Sequence, residues 1–200
     1  MQGLKVTIGP AFEPVTLAEA KAHCRVDITD DDALITSQIA AARAYLEHTF
    51  GRAIAAQTIL LHLAAFPGVS QSNPRGAIKL PRPPLASVTS VYYYDGTGEL
   101  VQLSASAYQV DDVREPGEIV PAPETDWPDS QEDRVGAVKV TYVAGVATAG
   151  AIDPRIKQAV LMLVSHWYEN RETVIVGSIS GDLEHAINAI AWQMWDGRLI

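Results

Sequence analysis

The chain has a single cysteine, Cys24, among its 200 residues. It can form no internal disulfide and no multi-cysteine zinc site, which suits a reducing cytoplasm and argues against redox chemistry. Long apolar runs are equally scarce. The longest candidate, Ala159 to Val164, is far shorter than the ~20 residues a membrane-spanning helix needs. Met1 to Phe12 lacks the charged and apolar regions of a secretory signal. The chain is therefore expected to be soluble and unprocessed, with no membrane partner. Basic side chains are outnumbered, 15 against 24 acidic ones, for a formal charge of −9. Tight binding to nucleic-acid phosphates relies on clustered Lys and Arg, so that class is disfavoured. No internal repeat is present, which sets aside solenoids and propellers.

The common catalytic motifs are also missing. The chain contains no Walker loop, no G-x-G-x-x-G, no H-E-x-x-H and no G-x-S-x-G. Its histidines (His23, His48, His62, His166, His185) are scattered, and His166 with Glu169 is the nearest approach to a ligand pair. One i, i+3 pair does not complete a metal site. Asp30-Asp31-Asp32 offers hard oxygen ligands, but acidic side chains in a first helical turn also complement the helix dipole, and that reading is preferred. Cys24 has only His23 beside it, and neighbours at i, i+1 on a helix point apart. No catalytic residue, metal ligand or cofactor is assigned, and the chain is read as not an enzyme.

What the chain does carry is a change of pattern, twice. Thr16 and Glu19 have capping-box spacing, so a helix should start near Leu17. Thr29 and Asp32 repeat that spacing before a second helix, in which Ile35, Ile39, Ala42, Leu46 and Phe50 share one face and Gly51 supplies the C-cap. From Ala55 the period falls to two. Strands are expected at Ile59–Leu63, Ile78–Leu80, Val88–Tyr94, Leu100–Leu103, Tyr108–Asp111, Glu118–Val120 and Val138–Val143, with a hairpin at Asp95-Gly96-Thr97-Gly98. Nine of the twelve prolines lie between Pro67 and Pro128, which keeps these strands short or at edges. Asp153-Pro154 then starts a third helix with the stripe Ile156, Ala159, Val160, Leu163 and Trp167. A last helix, capped by Asp182, carries Ile187, Ile190, Trp192 and Trp195. The fold class is α+β: a helical bundle of N- and C-terminal helices with an inserted small, mostly antiparallel β domain. Its expected parts are 1–52, the N-terminal helical part; 53–150, the β-rich insertion; and 151–200, the C-terminal helices with a Trp-rich tail.

Three features exceed what bulk core requires. Between Asp111 and Asp133 stand nine acids (Asp111, Asp112, Glu115, Glu118, Glu124, Asp126, Asp129, Glu132, Asp133) and Arg114 alone. A solvated loop that maintains solubility is the plain reading. Tyr92-Tyr93-Tyr94 puts rings on both faces of one strand, so at least one faces away from the core and is available to a partner. The tail from Trp192 to Ile200 ends the chain on tryptophans, Met194 and apolar residues, a composition found in interface cores. Packing on its own domain and docking on a partner are equally open for it. Tyr93, Trp192, Met194, Trp195, Leu199 and Ile200 are the candidate interface residues.

In order, Glu13-Pro-Val-Thr-Leu-Ala-Glu-Ala-Lys21, Arg25-Val-Asp27, Asp31-Asp-Ala-Leu-Ile35, Ala41-Ala-Arg43 and Gly51-Arg52 resemble the amino-terminal signature of head-tail connector (adaptor) proteins of tailed bacteriophages and gene transfer agents. Leu80-Pro-Arg-Pro-Pro-Leu85, Ser87-Val88, Tyr94-Asp-Gly96, Trp127-Pro128, Val140-Thr-Tyr142 and Ala144-Gly145 continue the series, and Pro154, Ile156-Lys157, Ala159 and Tyr168-Glu-Asn-Arg-Glu172 complete it. The resemblance spans about residues 13 to 172. It implies a virion structural protein: a homo-oligomeric ring, commonly a dodecamer, beneath the portal protein of a DNA-filled head. That ring would join a tail-proximal stopper or tail protein and continue the DNA channel, through which DNA passes without specific binding. It would be found at the head-tail interface of the particle, and in the bacterial cytoplasm during assembly. The Trp-rich tail departs from the family pattern, and its composition suits docking on the portal. In this setting some acids, with Asp111, Asp112, Glu115 and Glu118 as candidates, would face the channel, where a negative wall does not hold sliding phosphates. The alternatives are a tail-completion or stopper protein of the same particle, or a small ligand-binding or hydrolase domain with a pocket between sheet and helices.

Overall fold

A computed structural model describes residues 3–131, 133–170 and 181–194, Met194 by its backbone only. The chain divides into two compact units, each built from two separate stretches. One comprises Met1–Ala11 and Gly51–Ala147, the other Phe12–Phe50 and Thr148–Ile200. The α+β class holds, with helices collected in the second unit and strands in the first.

The helical unit begins with α1, Leu17–Cys24. Its capping box is complete: the Glu19 amide donates to Thr16 Oγ1 at 3.2 Å, and the Thr16 amide donates to Glu19 Oε2 at 2.6 Å. Arg25 closes the helix with φ +56. The second helix, α2, spans Asp32–Phe50 and buries Ile35, Ile39, Ala42 and Leu46 along one face; Gly51 follows with φ +62. Asp153 caps α3, Pro154–Glu169, by accepting from the Arg155 amide at 2.8 Å, and Pro154 loses nothing at a position whose amide has no helical partner. Every residue of the expected stripe is buried: Ile156, Ala159, Val160, Leu163 and Trp167. α3 lies against α1, α2 and α4, Gly181–Met194. The Trp167 ring meets Tyr45 edge-on, with centroids 6.4 Å apart.

The β unit holds two antiparallel sheets. Strand β1, Gly3–Ile8, pairs with β2, Gln57–Leu63; β2 pairs with β8, Val138–Ala144; β8 pairs with β4, Leu85–Tyr94; and β4 pairs with β5, Leu100–Gln102. The smaller sheet runs β3 (Ile78–Lys79), β7 (Glu118–Pro121), β6 (Tyr108–Asp111). β2 and β8 alternate strictly between buried and half-buried residues. Ile59, Leu61, Tyr142 and Val140 thus enter one core with Val91, Ile78, Leu80 and Ile119. Each such side chain stabilises by about 1.5–3 kcal/mol through burial. Strand β1 was not foreseen within the N-terminal helical part. Leu4, Val6 and the β-branched Thr7 and Ile8 alternate only briefly, yet they suffice to add a strand to an existing sheet. The hairpin turn also differs in detail. Asp95 Oδ1 accepts from the Thr97 and Glu99 amides at 2.8 and 3.1 Å, and the positive φ, +86, belongs to Gly98 rather than to the Asp-Gly step.

Candidate functional site

The acidic stretch is partly neutralised by its own unit. Glu118, at the start of β7, is buried and is the carboxylate on which two guanidinium groups converge: Arg75, and Arg114 at 3.4 Å. Arg114 also reaches Asp111 at 3.2 Å. Arg52 forks onto Glu115, with Nη2 donating to Oε1 at 2.7 Å, and this pairing holds the Glu115 carboxyl below the usual range. Of the four acids singled out from the sequence, Asp112 alone is exposed and has no ion pair among the described residues. Glu118 in particular is a structural acid rather than a surface one. Burying a carboxylate is tolerated only where cations offset the lost hydration.

The three tyrosines divide by the alternation of β4. Val91 and Tyr93 share the core face, and the Tyr93 ring packs beside Phe66, with centroids 5.6 Å apart. Phe66 in turn stacks on Trp127 at 4.9 Å, whose Nε1 donates to the Gly76 carbonyl at 2.6 Å. Tyr92 and Tyr94 are the rings on the other face. Tyr94 lies under Arg134, 3.4 Å from the ring centroid, and its hydroxyl accepts from Lys139 Nζ at 3.2 Å. These cations draw the Tyr94 phenol below its ordinary value. The outward surface is therefore a tyrosine pair with two cations, and the ring chosen from the sequence, Tyr93, belongs to the core.

At the far end of α4, Ile187 is buried whereas Trp192 is 71% exposed. Arg155 Nη1 donates to the Gln193 carbonyl at 3.1 Å, tying the cap of α3 to the end of α4. The side chain of Met194, and all of Trp195, Leu199 and Ile200, lie outside the described residues.

The features considered for chemistry resolve into structural roles. Asp31 accepts from the Tyr168 hydroxyl at 2.7 Å and Asp32 from Lys21 Nζ at 2.6 Å, so these two acids tie the start of α2 to α3 and α1. Burial pushes the Cys24 thiol up, against a hydrogen bond from Ser165, which is the wrong direction for a nucleophile. Asn170 donates to the His166 carbonyl at 2.8 Å and closes α3. Among the described residues no three His, Cys, Asp or Glu side chains gather as a metal site. A concavity beside Leu63, Asn73, Ile78 and Pro116 has Lys79 as its one ionisable lining residue.

Residues 14–108 match the family of phage gp6-like head-tail connector proteins. The connector match covers α1, α2 and the strands from β2 to β5, with the amino-terminal signature from Pro14 on and the segments at 80–85, 87–88 and 94–96; those at 127–128, 140–142 and 144–145 lie beyond it. It ends before the acidic stretch and before α3. Solved structures extend the likeness over the whole chain. A chain from the neck of an empty GTA particle, computed with C6 symmetry, is 21% identical with a TM-score of 0.76, covering 99% of this chain and 97% of that one. A chain from the virion of a native gene transfer agent particle is 20% identical with a TM-score of 0.74, over 98% and 97%. A third, from the neck of a native GTA particle computed with C12 symmetry, is 21% identical with a TM-score of 0.67, over 95% and 94%. At these identities the fold is what is shared. No curated protein sequence matches the chain.

Proposed function

We propose that the chain is a non-catalytic structural adaptor at the head-tail interface of a phage or phage-like particle. It assembles as a homo-oligomeric ring, a dodecamer, beneath the portal, joins the portal to a tail-proximal protein and continues the DNA channel. The observation that carries this reading is the connector match over residues 14–108. A fold shared along nearly the full chain with neck and virion proteins of gene transfer agents supports it. A ring subunit needs two different surfaces that meet head to tail, and it needs no reacting groups. Trp192, with Met194, Trp195, Leu199 and Ile200, forms the portal-docking end. Asp112, Glu124, Asp126 and Asp129, exposed and without an ion pair among the described residues, face the channel, whereas Asp111, Glu115 and Glu118 hold the loop in place through arginines.

Electron microscopy of native particles, with mass determination of the purified protein, tests the reading. The expected result is a ring of this chain directly below the portal. Density one level lower would make it a stopper or tail-completion subunit, and absence of any ring would refute the assignment. Replacing Asp112, Glu124, Asp126 and Asp129 together with Lys should impair DNA packaging or release; unchanged packaging and release would remove the acids from the channel.

A further inference from the structure

Among the described residues, the five-stranded sheet has open backbone at both ends. Strand β1 pairs with β2 on one side, and among the described residues its other side meets no backbone partner. All six of its residues are exposed, although Leu4 and Val6 stand opposite Leu61 and Ile59, which are buried in the core. At the other end β4 pairs with β8 along its length, but β5 covers only Tyr92 to Tyr94. Among the described residues no strand therefore lies on the outer side of 86–90, and Ala86, Ser87 and Thr89 are exposed. Two bulges increase the twist of β4 but leave this edge uncovered. Unpaired amides and carbonyls along such an edge are a template for another strand.

We propose that β1 of one copy adds to the 86–90 edge of β4 in the next copy, so that the sheet runs on from subunit to subunit. The contact rests on the ring assembly proposed above. Three observations select a second copy as the occupant. The edges agree in length, six residues meeting five. They agree in direction: β1, β2, β8 and β4 are successively antiparallel, so β1 and β4 run oppositely. Copies related by rotation about an axis along the strands then meet in antiparallel register without inversion, the head-to-tail contact that closes a ring. They also agree in charge. Copies of a chain with a net charge of −9 repel one another on the whole, but β1 carries only Lys5 and residues 86–90 carry no charge, so no like charges meet. Leu4 and Val6 of the added strand would lie next to Val88, which faces Tyr142 on the core side.

Lys5 stands opposite Leu60, Ser87 opposite Val143 and Ser90 opposite Thr141, all on the face away from the core. In a Cys24→Ser background, Lys5→Cys combined with Ser87→Cys or Ser90→Cys should give, on oxidation of assembled particles, a ladder of covalent multimers beyond the dimer. The single variants should not. A ring seen by electron microscopy with no multimers from either pair overturns the strand contact and leaves the ring reading standing; absence of a ring overturns both. Dimers from Lys5→Cys alone would show β1 meeting β1 about a two-fold axis, which also overturns it. In the unsubstituted protein, amides at 4–8 and 86–90 should exchange more slowly in the particle than in the free subunit, by roughly tenfold or more. Unchanged exchange in both segments counts against the contact independently of any variant.

Discussion

Glu118 and Asp112 belong to one acidic stretch and have opposite surroundings. Glu118 is buried between Arg75 and Arg114, while Asp112 stands in water. Removing the buried carboxylate takes a shared partner from Arg75 and Arg114, leaving Arg114 with Asp111, and opens a void, so Glu118→Ala should cost about 1–3 kcal/mol, read from urea unfolding. Asp112→Ala should stay within about 0.5 kcal/mol. Equal costs would mean that the arginine network contributes nothing. Acid should act through a few carboxylates as well. Arg52 holds Glu115 below its ordinary 4.5, Thr16 does the same for Glu19, and Arg155 holds Asp153 below 3.8. Each binds fewer protons folded than unfolded in this range, so its contribution is complete above about pH 4.5 and is lost as the pH falls through the lowered folded values. Because these groups lie at the surface, each share is under about 1 kcal/mol, and salt should shrink the fall in the urea midpoint. Composition showed that the stretch was acidic but could not show which acids had partners, because Arg52 and Arg75 lie some forty to sixty positions upstream. Tyr93 escaped for a similar reason: alternation divides three rings between two faces, but only the neighbouring strands decide which face is the core.

Elements with strong local signals were legible. The capping box at Thr16, the Asp153-Pro154 start and the stripe of α3 all depend on side chains within one or two turns, and the chain forms them where the spacing puts them. Thr16→Ala should cost about 1 kcal/mol by removing the acceptor for the Glu19 amide. Strand β1 and the edges of the small sheet were less legible, because a strand is completed by partners distant in sequence. Gly145 illustrates such a long-range demand. It has φ +98, and a Cβ there would lie 2.3 Å from the Ala55 carbonyl oxygen. Gly145→Ala should therefore destabilise by about 3 kcal/mol or more, while Gly150→Ala, with nothing within 4 Å, should cost little. Thermal unfolding of the two variants side by side makes the comparison.

For the whole molecule, exposure at the end of α4 bears on the docking role proposed for the tail. Trp192 is 71% exposed, so on the docking role proposed for it Trp192→Ala should lower incorporation into particles by a larger factor than it lowers the folded fraction in urea unfolding. An equal loss of both would return the tail to its own domain. The interleaving of the two units also sets an order of events during synthesis. β2 ends at Leu63 and its partner β8 begins at Val138. At about 5–20 residues per second, those intervening residues take roughly 4–15 s to make. Throughout that interval Ile59, Leu61 and Leu63 have no third strand to cover them. Nascent chains arrested before Val138 should therefore be protease-sensitive across 57–63 and prone to bind a chaperone, and chains arrested far enough beyond Gly145 for β8 to have left the ribosome should be resistant. The slow step in making this protein would then be the wait for one late strand.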